Sequence, residues 1–137
     1  MQPLMDADAR RLNEITERII GCAYTVVNTL GVGFLEKVYE NALAYELRKN
    51  GWAVEQQKAV PVRYDGVLVG DYVADLLVAG CVLTELKAVK NLDEIHVAQC
   101  LNYLKGTGLQ VCLLLNFGSR RLQIRRLVHE FDRRESA

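Results

Sequence analysis

Residues 72–89 read YVADLLVAGCVLTELKAV, an almost continuous apolar run that carries three charged side chains. Glu85 and Lys87 alternate with apolar residues at the two-residue period of a β-strand, whose successive side chains point to opposite faces. The Ala79-Gly80 pair predicts a turn within the run. The stretch therefore predicts a hairpin of two largely apolar strands, with Glu85 and Lys87 on one face of the second strand.

The register of this hairpin decides whether its acidic side chains meet. If the turn is symmetric, Val78 faces Val82 and Asp75 lies directly opposite Glu85, with Cβ atoms about 4.5–5.5 Å apart. A two-residue loop would instead pair Asp75 with Thr84 and turn Glu85 to the other face. Only the symmetric register brings the two carboxylates together.

Two opposed carboxylates on an apolar hairpin repel each other and lose hydration. A divalent cation between Asp75 and Glu85 would offset both costs, and oxygen ligands favour Mg²⁺ or Mn²⁺. Lys87 shares their face and could neutralise a phosphate oxygen or orient a water molecule. The structural alternative is an ordinary ion pair between Glu85 and Lys87 on one strand face.

The remaining periodicity predicts an α/β (α+β) protein with a mixed central sheet flanked by helices, because a helix between residues 89 and 109 allows a parallel crossover. Asp6 or Asp8 is predicted to cap the first helix, and Asn91 or Asp93 the third. Pro61 favours an edge strand or a bulge, and Asp65-Gly66 favours a tight turn. The predicted helices cover residues 6–30, 34–50 and 92–105, and the predicted strands residues 52–58, 60–64, 67–78, 81–89, 109–116 and 122–128.

The chain has 137 residues, which suits a single domain with an N-terminal helix at 6–30, a core at 33–128 and a frayed tail at 130–137. Its 17 basic and 17 acidic residues balance, so a nucleic-acid partner must rely on a local patch. Six arginines between residues 120 and 134 have acidic neighbours and fit a solvated strand edge equally well.

No signal peptide or membrane span is predicted, which indicates a cytoplasmic protein, and the four scattered cysteines indicate reduced thiols.

Two of the predicted helices carry further candidate residues. Glu36 projects at the edge of the apolar face of the second helix, where a carboxylate needs a partner or a function. Glu46 lies even closer to the middle of that face, and helical periodicity does not separate the two. On the third helix Gln99 and Tyr103 share one side with His96, where they could line a site or form an ordinary solvated face.

Residues 33–39 read G-x-x-E-x-x-Y, and the chain resembles the family of small bacterial proteins named for that signature. The likeness runs from about residue 15 to residue 128, nearly the whole predicted domain. Its further motifs, in chain order, are YENALAYEL (39–47), ADLLV (74–78), TELKAV (84–89), AQCLNYL (98–104) and LLLNFG (113–118). That family is grouped with the PD-(D/E)XK nuclease superfamily, so the resemblance implies a restriction-endonuclease-like core.

The resemblance also implies a role for each matched position. Asp75 matches the motif aspartate, while Glu85 and Lys87 match the (D/E)-x-K pair. Ala74 stands where the superfamily usually has proline, a change that removes no ligand. The other implied roles are the helix acid at Glu36 and a Q-x-x-x-Y element at Gln99 and Tyr103.

In the mechanism implied by the resemblance, Mg²⁺ or Mn²⁺ supports hydrolysis of a DNA phosphodiester bond. The implied metal ligands are Glu36, Asp75, Glu85 and the Leu86 carbonyl, and Lys87 helps to activate the attacking water. The main hypothesis is therefore a metal-dependent nuclease acting on DNA. The alternative is a catalytically silent nuclease-fold binding or scaffold protein in a DNA repair or defence assembly; small size and zero net charge favour a homodimer or a larger assembly in either case.

Overall fold

The computed structural model describes residues 2–129, so the predicted frayed tail at 130–137 lies outside the described residues. Within that range the elements are α1 (Gln2–Leu30), α2 (Glu36–Lys49), β1 (Val54–Tyr64), β2 (Val67–Val78), β3 (Val82–Lys87), α3 (Glu94–Thr107), β4 (Val111–Asn116) and β5 (Gln123–Val128).

The five strands form one sheet in the order β1-β2-β3-β4-β5. The β3–β4 pair is parallel and the other neighbours are antiparallel, so α3 provides the predicted crossover. This is the mixed sheet with flanking helices that the sequence predicts. β1 is an edge strand, as Pro61 indicated, and Asp65-Gly66 turns the chain with both residues at positive φ.

Some predicted boundaries are wrong. A cap at Asp6 or Asp8 is excluded because α1 already begins at Gln2. The two strands predicted at 52–58 and 60–64 form one continuous strand, β1. At α3, Asp93 rather than Asn91 is the cap: its carboxylate accepts the Ile95 N–H (2.9 Å), while His96 Nδ1 accepts the Asp93 N–H (3.2 Å).

The apolar core has two layers, one on each face of the sheet. On one face α1 and α2 pack against side chains such as Leu86 and Leu113; on the other, α3 packs against side chains such as Leu83 and Leu114. β4 is buried on both faces, as its unbroken apolar run predicts. The sheet therefore separates two cores, and residues near its edges can contact side chains from both.

Tyr39 anchors the start of α2 to both neighbouring segments. Its fully buried ring stacks on Phe117 with centroids 4.8 Å apart, and its hydroxyl donates to the Gly31 carbonyl at 2.6 Å. The same hydroxyl accepts the Phe34 N–H at 3.3 Å. The tyrosine of the G-x-x-E-x-x-Y signature thus fixes the α1–α2 turn against the end of β4.

The β1–β2 ribbon changes faces near its middle. In a regular strand, side chains two residues apart share a face. Tyr72 and Ala74 nevertheless pack in the α3 layer, whereas Leu76 and Val78 pack in the α1–α2 layer. β1 makes the same change between Val54 and Val60. The ribbon therefore rotates by half a turn at the level of Asp75.

The segment after β3 is held by the buried side chain of Asn116. Its Nδ2 donates to the Val89 carbonyl (2.9 Å), and its Oδ1 accepts the Val89 and Gly118 N–H groups (2.9 and 3.0 Å). Gly118 passes so close that a Cβ atom there would collide with the main chain of Val89. This clamp fixes the chain immediately after Lys87.

Gly118→Ala should therefore lower the free energy of unfolding by about 1–3 kcal/mol, the usual effect of overpacking a close contact. Gly21→Ala is the control, because Gly21 lies within α1 with no atom near an added Cβ. That change should raise stability by about 0.5–1 kcal/mol. Urea denaturation of both variants measures the difference. A Gly118→Ala protein as stable as the parent would contradict the close contact between Gly118 and Val89.

Candidate active site

β2 and β3 meet in the symmetric register. Val78 pairs with Val82 and Leu76 with Thr84, which places Asp75 opposite Glu85 and excludes the two-residue loop. The ladder ends there, and side chains replace it. The Asp75 N–H donates to Glu85 Oε2 at 3.1 Å, and the Leu86 N–H donates to Asp75 Oδ2 at 2.9 Å. The two carboxylates are thus fixed by each other's strand.

Burial governs the charge of both acids. The Glu85 side chain is almost inaccessible, and its burial, followed by the charge of Asp75, raises its pKa to about 7. Burial also raises the pKa of Asp75, although the Leu86 N–H and the Lys87 charge oppose that shift. The closed pair is electrostatically strained as two anions, which favours a bound proton or cation.

Lys87 lies half-buried beside this pair without neutralising it directly. Ion pairs within 4.0 Å in residues 2–129 join Lys37 to Glu40, Lys49 to Glu46, Lys58 to Glu55 and His96 to Asp93. The structural alternative, an ion pair between Glu85 and Lys87, is therefore absent from the described part of the chain. The positive charge of Lys87 still lowers the pKa of Glu85, so its ammonium group acts across the site.

α2 brings Glu40, not Glu36, close to Asp75. Glu36 is the exposed first residue of α2 and makes no hydrogen bond or ion pair within residues 2–129. Glu40 is 4% exposed, and its Oε1 accepts the Gln57 amide at 2.9 Å. The same Gln57 Nε2 donates to Asp75 Oδ1 at 3.4 Å. The sequence-based choice of Glu36 is therefore not supported by the geometry.

Glu36 and Glu40 differ in their position along the axis of α2, and this difference explains why the structure favours Glu40. Helical periodicity gives the direction of a side chain around the axis but not where packing begins. Glu36 points toward the apolar side, yet the buried residues of α2 start only at Tyr39. Glu40 directly follows Tyr39 in the YENAL motif. Its place next to the tyrosine of the G-x-x-E-x-x-Y signature was the sequence feature that could have identified it.

α3 contributes Tyr103, which stacks on Tyr72 with ring centroids 3.6 Å apart and planes inclined by 19°. Burial and the charge of Glu85 raise the pKa values of both phenols. The Tyr72 hydroxyl is buried and lies within reach of the Glu85 carboxylate. Tyr72 was not predicted; its place three residues before Asp75 on β2 was the available signal. Gln99 is exposed, and the structure places no hydrogen bond on it within residues 2–129.

A sequence model of the PD-(D/E)XK nuclease superfamily matches residues 13–127. Because the match covers most of the chain, the protein belongs to this superfamily. Its mixed five-stranded sheet with flanking helices is the restriction-endonuclease-like fold. No protein of curated function matches the sequence.

Two solved structures are similar to the chain. One is the protein SSO0001, with a TM-score of 0.52 and 19% identity over 93% of this chain. The other is an alkaline exonuclease, LHK-Exo from Laribacter hongkongensis, with a TM-score of 0.46 and 14% identity over 73% of this chain. The match spans 64% of the length of SSO0001 and 59% of that of LHK-Exo. At 19% identity the likeness to SSO0001 shows the fold alone.

Members of the superfamily generally use divalent metal ions. The donor chemistry here fits, since Glu40, Asp75 and Glu85 supply carboxylate oxygens from three elements and two of them are strained as anions. As the side chains stand, no three His, Cys, Asp or Glu residues in the described ranges are grouped closely enough to hold a metal. The Gln57 amide lies between Glu40 and Asp75 and bonds to both.

No helix in residues 2–129 has the length and apolar character needed to cross a membrane.

The stability of the metal-free protein should fall as pH rises from about 4.5 to about 7, because folded Glu85 holds its proton more tightly than the unfolded chain does. Glu85→Gln should remove much of this fall and be about 2 kcal/mol more stable than the parent at pH 8. Urea denaturation in EDTA at pH 5 and pH 8 measures it. The exposed Glu55→Gln serves as the control and should keep the parental pH profile; identical profiles for Glu85→Gln and the parent would refute the strained pair.

Proposed function

We propose that the protein is a divalent-metal-dependent nuclease that hydrolyses phosphodiester bonds in DNA. The observation that carries this proposal is the Asp75–Glu85 pair, fixed by crossed hydrogen bonds, with Lys87 beside it making no ion pair to any residue between 2 and 129. Buried anions without a counterion within contact distance destabilise a fold. A protein that keeps such a pair is therefore expected to use it for a function. Membership of a nuclease superfamily supplies the reaction class.

The proposed ligands of Mg²⁺ or Mn²⁺ are Asp75, Glu85, the Leu86 carbonyl and Glu40, which takes the place first given to Glu36. Such a cation supplies Lewis-acid stabilisation of the charge that develops on the phosphate. Asp75 and Glu85 are positioned by main-chain bonds to the opposite strand and so need little reorganisation. The buried side chain of Leu86 anchors β3 next to Glu85.

Lys87 is the proposed residue that contacts the reacting phosphate. Its side chain shares a face of β3 with Glu85, and its main-chain carbonyl accepts the Phe117 N–H at 2.8 Å, which fixes the strand at that point. The ammonium group donates to a phosphate oxygen or to the attacking water. Tyr103, stacked on Tyr72 near Glu85, supports the carboxylate side of the site, and Gln99 supports the approach of DNA along α3.

We also infer membership in the bacterial G-x-x-E-x-x-Y family and a cytoplasmic location. The signature at residues 33–39 supports the family assignment, and Tyr39 has a clear structural role in the α1–α2 turn. With 17 basic and 17 acidic residues, the chain would bind DNA through a local basic patch, and a homodimer or larger assembly would extend that patch.

A second candidate function is a nuclease-fold binding or scaffold protein without catalytic activity. The observation that favours it is the Gln57 amide between Glu40 and Asp75, which leaves no ready three-acid group in residues 2–129. The two functions differ in cation binding and cleavage, and both can be measured on one set of variants.

Glu40→Gln should weaken Mn²⁺ binding and DNA cleavage by about ten- to a hundredfold, because it removes a charged oxygen from the site. Glu36→Gln is the matched control on the same helix and should stay within about twofold of the parent, since Glu36 contacts none of the other acids. Asp75→Ala should abolish both properties. Isothermal titration with Mn²⁺ and cleavage of single-stranded, duplex and branched DNA provide the measurements.

Three outcomes would change the conclusion. Equal losses in Glu36→Gln and Glu40→Gln would restore the sequence-based ligand set. Mn²⁺ binding without cleavage of any DNA form would favour the scaffold. Absence of Mn²⁺ binding by the parent protein at millimolar concentration would remove the metal-dependent nuclease.

A further inference from the structure

Gln57 combines three unusual features at one point of β1. Its φ is +50°, in the left-handed region that residues other than glycine seldom adopt inside a strand. Gln56 pairs with Leu76 and Lys58 with Ala74, so Gln57 lies opposite Asp75, where the β1–β2 pairing is interrupted. This is also the level at which the ribbon exchanges its two faces.

The conformation of Gln57 brings two successive side chains to one acid. Neighbouring residues in a regular strand point to opposite faces. Here Gln56 Nε2 donates to Glu40 Oε2 at 2.8 Å and Gln57 Nε2 donates to Glu40 Oε1 at 2.9 Å. The Gln57 amide also donates to Asp75 Oδ1 at 3.4 Å, whereas the Gln56 amide also donates to Asn41 Oδ1. The left-handed residue therefore links two acids on different elements.

The bonds that Gln57 makes are those that a cation would replace. An amide NH₂ group presents partial positive charge to each carboxylate and holds them together without a full charge. A cation that bridges Glu40 and Asp75 competes with the one amide that already joins them, so the paired bonds of Gln57 lower the affinity for it. Gln57 is solvent-exposed, and its amide can therefore move into water with its hydrogen bonds satisfied.

We propose that Gln57 is a displaceable clamp that joins Glu40 to Asp75 when no cation is bound and thereby sets the affinity of the site for divalent cations. The inference rests on the proposed metal-dependent function. It assigns Gln57 as a positioning residue that acts through the two acids, and it explains why the strand keeps a left-handed residue at this position. Gln56, which bonds to Glu40 but not to Asp75, has no such role.

The test compares Gln57→Met with Gln56→Met, since methionine keeps the length of the side chain and removes the amide. Mn²⁺ affinity, measured by isothermal titration at pH 8, should rise about three- to tenfold in Gln57→Met, the equivalent of about one ordinary net hydrogen bond. Gln56→Met should not bind Mn²⁺ more tightly than the parent. In EDTA both variants should melt at or below the parental temperature, and added Mn²⁺ should raise the melting temperature most in Gln57→Met.

A role limited to structure would lower stability without tightening cation binding, so an affinity at or below the parental value in Gln57→Met overturns the proposal. An equal gain in Gln56→Met overturns it as well, since freeing Glu40 alone would then suffice. Gln57→Gly provides a second variant that tolerates the positive φ, and it should show the same gain. If the parent and every variant fail to bind Mn²⁺, the metal-dependent function falls together with the clamp, which distinguishes that failure from a failure of the clamp alone.

Discussion

The crossed hydrogen bonds between β2 and β3 are the constraint on which the rest of the site depends. Each carboxylate, Asp75 and Glu85, accepts a main-chain N–H from the opposite strand where the ladder would otherwise continue. The bonds end the pairing of β2 with β3 and hold two like charges close together. The same few atoms thus shape the sheet and create the electrostatic strain that a proton or cation relieves.

Because the sheet has a core on each face, the site can collect groups from both. Glu40 arrives with α2 from one layer, and Tyr103 arrives with α3 from the other. Asp75 lies where the β1–β2 ribbon rotates, so it accepts both the Gln57 amide, which also bonds to Glu40, and the Leu86 N–H of β3. A flat, regular ribbon would have kept these groups on separate faces.

The sequence was sufficient to predict the β2–β3 hairpin and to limit it to two registers, because apolar alternation and a small-residue turn leave few pairings. It did not choose between them, and the structure selects the symmetric register in which Asp75 lies opposite Glu85. It was insufficient for Glu40, because periodicity describes the direction around a helix and not the point along it where burial begins. It was also insufficient for Gln57. A left-handed residue in a strand is foreseen from glycine or asparagine, and glutamine carries no such signal.

The rotation of the ribbon also divides β2 into two parts of unequal protection. Toward Val78 the strand lies inside a five-stranded sheet between two cores, whereas toward Val67 it pairs only with β1, and side chains such as Tyr64 and Leu68 are exposed. A two-stranded ribbon opens at far lower free energy than a buried sheet. Amide hydrogens along this one strand therefore exchange with solvent through two regimes, local fraying at the tip and cooperative unfolding at the base, and the change falls between Tyr72, the first buried residue of β2, and Asp75.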